Sequence, residues 1–149
     1  MTVKPSTQVD PWEQLFTLMA AMQSVLQQAQ PALAGLGMDA KSLFVLLLVD
    51  YHPSPAELAD ALVLPRPTVT TLIKKMETAG YLERRGVPGD LRRFHLAVTS
   101  AGIKARTQGV DVLDKIHGQR LAKLGRADQR KLTQLLQAIA DPCSKLLGR

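Results

Sequence analysis

Residues Ser54 to Gly80, SPAELADALVLPRPTVTTLIKKMETAG, read as a short helix, a turn and a longer helix. Ser54 is placed to cap the first of these, Pro55 suits its first position, and Glu57 stands three residues on to complete a capping box. Leu58, Ala59 and Leu62 share the inner side of that helix. Val63 and Leu64 make the turn. Pro65-Arg66-Pro67 then starts a second helix that runs to Ala79, with Gly80 in the usual place for a helix stop. This order is a helix-turn-helix layout.

Downstream of Gly80 the apolar period changes from helical to alternating. Tyr81 to Arg85 predicts one strand, and Phe94, Leu96 and Val98 alternate along a second. Gly86-Val87-Pro88-Gly89-Asp90 supplies the turn between them, so the pair forms a hairpin, a wing on the helix-turn-helix. Thr99-Ser100-Ala101-Gly102 opens a long helix with Ile103, Val110, Leu113, Ile116, Leu121 and Leu124 as its apolar positions. Gly125 to Asp128 breaks it, and a last helix carries Leu132, Leu135, Leu136, Ile139 and Leu146.

Upstream, Asp10 caps a first helix with Pro11 at its first position. Leu15, Leu18, Met19, Met22, Val25, Leu26 and Ala29 make its apolar stripe, and Pro31 with Gly35-Leu36-Gly37 interrupts the pattern. Trp12 and Met22 read as core. Asp39 caps a second helix whose Leu43 to Val49 block is apolar on all sides, the mark of a central buried helix.

The expected fold is mainly α with a small β-hairpin wing: a winged helix-turn-helix core flanked by N- and C-terminal dimerisation helices. The chain of 149 residues is the size of one domain. Within it, residues 39–99 form the DNA-binding core, and 10–35 with 100–149 form the dimerisation helices. These terminal helices carry more apolar positions than a small winged domain covers by itself, which points to a homodimer.

Along the longer helix of the pair, at 100° per residue, Val69, Leu72, Ile73 and Met76 form one apolar face. Pro67, Thr71, Lys74 and Thr78 lie opposite, flanked by Thr68, Thr70 and Lys75. Threonine is a poor choice for helix propensity, but short hydroxyls beside lysines suit a helix lying in a major groove. From Arg66 to Arg93 seven basic residues stand against three acidic ones, a net +4 within a chain of net charge +6. An arginine at the wing tip can enter a minor groove, with Asp90 expected to hold the Arg92 guanidinium in a forked ion pair. The DNA-binding set is therefore Arg66, Pro67, Thr68, Thr70, Thr71, Lys74 and Lys75 on the recognition helix, with Arg84, Arg85, Asp90, Arg92 and Arg93 on the wing. A charged hairpin and a solvated helix face are the plainer readings of the same residues.

Pro55 to Gly102 resembles the winged-helix core of the MarR family of bacterial transcription regulators. The matching stretches are Ala56-Glu57-Leu58-Ala59, Thr68 to Glu77, Gly80 to Arg84, the tip Asp90-Leu91-Arg92-Arg93, and Val98-Thr99-Ser100-Ala101-Gly102. Family members usually carry arginine where Leu91 stands, and leucine in place of Val98. The resemblance implies a triangular homodimer that presents two recognition helices to a palindromic DNA site. It also implies a small aromatic or phenolic effector bound between the dimer region and the winged domain.

Other classes are disfavoured. The apolar run Leu43 to Val49 is too short to span a membrane, the first ten residues are polar, and one cysteine, Cys143, suits a reducing compartment. A cytoplasmic protein without membrane contact is expected. His52, His95 and His117 are scattered, so no metal site or cofactor is expected, and no nucleophile, phosphate loop or carboxylate pair marks an enzyme. Cys143 reads as an incidental thiol, and His117 as a surface or core residue. A protein-interaction module built on the same fold is the alternative function.

Overall fold

The structure, a computed structural model, describes residues 9–140. Six helices and a hairpin follow in the order α1 (Pro11–Gly35), α2 (Ala40–Leu48), α3 (Pro55–Leu62), α4 (Arg66–Thr78), β1 (Leu82–Val87), β2 (Asp90–Val98), α5 (Ser100–Leu121) and α6 (Arg126–Ile139). Mainly helical with one antiparallel hairpin, this is the winged-helix arrangement. Leu146 and Cys143 lie outside the described residues.

The caps behave as their chemistry requires. Asp10 accepts the N–H of Trp12 at 2.9 Å, and Asp39 that of Ser42 at 2.8 Å. At α3 the box is reciprocal: Glu57 N–H donates to Ser54 Oγ at 3.3 Å, and Ser54 N–H to Glu57 Oε2 at 3.1 Å. The turn into α4 closes with Leu64 N–H on the Ala59 carbonyl, which puts Val63 at φ 53°. The closures after α1 and α4 use Gly37 and Gly80 at the equivalent left-handed position. A β-branched residue there costs about 1–2 kcal/mol, so the α3–α4 turn is strained where the other two are relaxed.

α2 is the centre of the molecule. Leu43, Val45, Leu46 and Val49 are fully covered, and Leu33, Leu58, Val69, Ile73 and Met76 close around them. Close approach of α5 to α2 depends on Gly109, where a Cβ would stand 2.7 Å from a Leu43 methyl carbon. Arg106 of α5 donates to the Leu46 carbonyl and to Asp50, which ties the same two helices at the C-terminal end of α2.

Three local expectations need correction. Pro31 does not interrupt α1, which continues to Gly35. A proline inside a helix costs about 3 kcal/mol, but Ala29 and Leu33, both wholly buried, bracket it and hold that turn in the core. The break between the last two helices lies at Ala122 to Gly125, with Gly125 capping α6. Gln129 fixes it by donating to the carbonyls of Leu121 and Leu124, both at 2.9 Å. Trp12 and Met22 are not core: they are 68% and 55% exposed.

That exposure is part of a pattern. Leu15, Phe16, Leu18 and Met19 of α1 are also open to solvent, as are Leu135, Leu136 and Ile139 of α6, a helix with no buried residue. No single helix among the described residues is long and apolar enough to cross a membrane. The pair α1 and α2 reaches that composition only across an 83° bend, and α2 is the core helix.

Candidate nucleic-acid interface

The helix α4 is positioned by its apolar face. Val69, Leu72, Ile73 and Met76 are all buried against α2 and α3, which turns the opposite face outward. Arg66, Pro67, Thr70, Thr71, Lys74 and Lys75 are exposed on α4, and Thr68 is half-buried. The two outer threonines bond back along the helix: Thr70 Oγ1 donates to the Arg66 carbonyl and Thr71 Oγ1 to that of Pro67, each at 3.0 Å. With their protons held this way, their methyls and oxygen lone pairs remain for an external partner.

The wing is anchored at its base. Thr99 N–H donates to the Tyr81 carbonyl at 3.0 Å, and Thr99 Oγ1 to the Gly80 carbonyl at 2.6 Å while accepting Gly102 N–H at 3.0 Å. At Gly102 a Cβ would run into the Tyr81 carbonyl oxygen and the Val98 side chain. The Val98-Thr99-Ser100-Ala101-Gly102 stretch is thus the clasp that closes the hairpin onto α5. Leu96 N–H also reaches the Pro53 carbonyl at 2.8 Å, docking β2 beside the entry to α3.

The tip is more irregular than alternation predicts. Leu82↔Val98 through Gly86↔Phe94 pair in register, but Val87 then pairs with Asp90, leaving Leu91, Arg92 and Arg93 as an outward bulge. Pro88-Gly89, with Gly89 at φ 84°, makes the two-residue turn. Asp90 does not pair with the Arg92 guanidinium as expected. Its Oδ1 accepts the Arg92 backbone N–H at 2.9 Å, because a short carboxylate two residues upstream reaches the main chain first. It shapes the bulge and leaves Arg92, Arg93 and Leu91 pointing into solvent.

The cationic set divides in two. Lys75 is bound to Asp39 at 3.0 Å, Arg85 to Glu83 at 2.7 Å, and Arg84 to Glu77 at 2.6 Å with its guanidinium 4.4 Å over the Phe94 ring. Hydrogen bonding to Glu77 raises the Arg84 pKa further above its ordinary value. Arg66, Lys74, Arg92 and Arg93 make no ion pair among the described residues. Sequence reasoning missed Asp39, Glu77 and Phe94 as partners of these cations. The signal for Arg84 was available: it falls on the Leu82 side of an alternating strand. Residues 94–149 hold ten basic and four acidic residues, so positive charge is not confined to the winged core. Two of those ten are spent internally, Arg106 on Asp50 and Arg120 on Ser24 and Gln28.

His117 is exposed. A concavity of about 390 Å³ lies along α1, lined by Gln23, Leu26, Gln27 and Gln30.

The helix-turn-helix and its clasped wing define a winged-helix fold with basic residues turned outward. Residues 36–93 match the sequence model of the MarR family. The organic hydroperoxide resistance transcriptional regulator of Bacillus subtilis (strain 168) is 26% identical over 128 residues, covering 85% of this chain and 86% of its own length. A MarR family regulator from Rhodococcus sp. RHA1 superposes with a TM-score of 0.75 at 23% identity, over 91% of this chain and 98% of that one. A Mycobacterium tuberculosis MarR family protein solved with DNA gives 0.71 at 20% identity, over 90% and 100%. Solved with salicylic acid, the same protein gives 0.73 at 21%, over 90% and 98%. Residues 36–93 are thus similar to the MarR family, and the chain shares the fold of solved MarR family proteins.

Proposed function

We propose that the protein is a homodimeric, sequence-specific regulator of transcription, a repressor that releases a palindromic operator when a small aromatic or phenolic effector binds. The observation that carries this reading is the pairing of an outward threonine–lysine face on α4 with an outward Arg92-Arg93 bulge on the wing. Helix and wing suit a major groove and the minor groove beside it. Thr68, Thr70 and Thr71 read base edges, while Arg66, Lys74 and Lys75 lie against phosphates. Pro67 sets the entry of the helix, and Asp90 shapes the tip that carries Arg92 and Arg93. Arg84 and Arg85 complete the basic wall of the wing.

The winged core at 39–99 is the reading unit, and 10–35 with 100–149 hold the dimer. Support comes from the uncovered apolar faces of α1 and α6, which group large exposed side chains instead of scattering them singly. The relative solved with salicylic acid supports the effector class. Such a regulator works in the cytoplasm. Recovery of genomic fragments by the full-length protein, followed by titration of a recovered duplex against a random one, tests the reading. Salt-dependent binding with clear preference for the recovered duplex is expected. Equal affinity for both would overturn sequence-specific regulation.

A further inference from the structure

Arg84 contradicts the polarity of its strand. Pairing of Leu82 with Val98, Arg84 with Leu96 and Gly86 with Phe94 puts these side chains on one face of the hairpin. Leu82 and Leu96 are buried there, Phe94 and Val98 half-buried, and a charged residue stands among them. Arg85, on the other face, pairs with Glu83 two residues before it.

The guanidinium of Arg84 is engaged on its edge and on its face. Nε donates to Glu77 Oε1 at 2.6 Å and Nη2 to Oε2 at 3.3 Å, a forked contact, while Cζ lies over the Phe94 ring, 4.4 Å from its centroid. Glu77 belongs to the last turn of α4, Arg84 to β1 and Phe94 to β2. One side chain therefore joins the recognition helix to both strands of the wing. A two-stranded hairpin is marginal by itself, so its angle depends on what braces it.

We propose that Arg84, clamped by Glu77 and Phe94, is a positioning residue that sets the wing against α4 so that both elements enter DNA together. It does not touch the duplex. This rests on the DNA-binding reading above, and replaces the place in the basic wall of the wing given to Arg84 there. Its side chain is 46% exposed, but Nε and Nη2 are committed to Glu77, which fixes the orientation of the guanidinium beside the Phe94 ring.

The test uses the full-length protein, a genomic duplex recovered by the wild type, and a random duplex of equal length. Arg84→Lys, Arg84→Gln, Glu77→Gln and the Arg84→Gln/Glu77→Gln double variant are compared well below their melting temperatures. The readouts are the affinity ratio between the two duplexes and the slope of log K against log salt. Expected is a roughly tenfold lower ratio in Arg84→Lys, whose charge is intact but whose fork is lost. Glu77→Gln lowers the ratio comparably even though it removes negative charge, the double variant is no worse than Arg84→Gln, and the slopes match the wild type. A phosphate contact predicts the opposite: Arg84→Lys near wild type, Glu77→Gln binding more tightly, and Arg84→Gln flattening the slope by about 2 for two subunits. That result overturns the assignment, as does a lowered melting temperature with the ratio unchanged. A wild type without salt-dependent duplex binding sinks the DNA-binding reading itself, and this assignment with it.

Discussion

Asp39 and Lys75 stand 36 residues apart in the chain and share one carboxylate. Oδ1 of Asp39 accepts the Ser42 N–H at 2.8 Å and caps α2, while Oδ2 holds the Lys75 ammonium at 3.0 Å. The start of the core helix and the outer face of α4 are thereby joined through a single side chain.

Asp39→Ala is expected to destabilise the protein by about 1 kcal/mol, the usual cost of a lost N-cap. Asp39→Asn keeps the cap and costs less, because the ion pair is exposed and contributes little. Denaturant unfolding of the two variants checks this. Equal losses would show that the ion pair, not the cap, supplies the stability.

Acid should weaken the fold through two carboxylates. Burial pushes Asp39 upward, but hydrogen bonds from Ser42 and Lys75 outweigh it and hold the group below its ordinary value. Glu57 is lowered by the Ser54 hydroxyl and backbone N–H, with His52 and His95 adding to the effect. Their stabilising contribution is fully present above the ordinary carboxylate range, near pH 4, and is lost as pH falls through the lowered native values. Thermal unfolding between pH 7 and pH 2 should show this loss, and Asp39→Asn combined with Glu57→Gln should make it shallower.

On the wing, Arg92→Ala is expected to weaken operator binding by roughly 1–3 kcal/mol, the scale of a groove contact. Asp90→Ala should cost less, since Asp90 orders the Arg92 backbone and leaves the side chain free. Titration of a recovered duplex at fixed salt measures both. An Arg92→Ala protein that binds like the wild type removes the bulge from the interface.

Thr70→Ala and Thr71→Ala should lower the preference for operator over random duplex while leaving the fold intact or slightly more stable, because alanine is the better helix former. Lys74→Ala should weaken both duplexes alike and flatten the salt slope by about 2 in a dimer. Unchanged specificity in both threonine variants would show that α4 is not the reading element.

Gly102→Ala and Gly118→Ala, both on α5, should differ in sign. The first forces a methyl against the Tyr81 carbonyl and should cost at least about 1–3 kcal/mol, the range for overpacking, because backbone cannot step aside. Nothing lies within 4 Å at Gly118, so alanine there should stabilise by up to about 1 kcal/mol through helix propensity. Melting temperatures of the pair decide it.

Much of this protein could be read from short stretches. The capping box at Ser54–Glu57, the stop at Gly80, the apolar face of α4 and the strand alternation each depend on groups within a few residues of one another. Local hydrogen bonding and the 3.6- and 2-residue periods therefore sufficed to place them. The outward residues of α4 were legible for the same reason, since a helix with one buried face must turn the other to solvent.

Tertiary structure decided the rest. Pro31 stays helical only because Ala29 and Leu33 are buried around it, and the glycine at 102 is required only because Tyr81 is folded against it. The division of the basic residues, with Lys75, Arg84 and Arg85 held by carboxylates and Arg66, Lys74, Arg92 and Arg93 left outward, is also a product of folding. Lys74 and Lys75 are adjacent and chemically alike, yet Asp39 comes within reach of only one. Which cation meets which anion is set by packing between distant segments, and no local period encodes it.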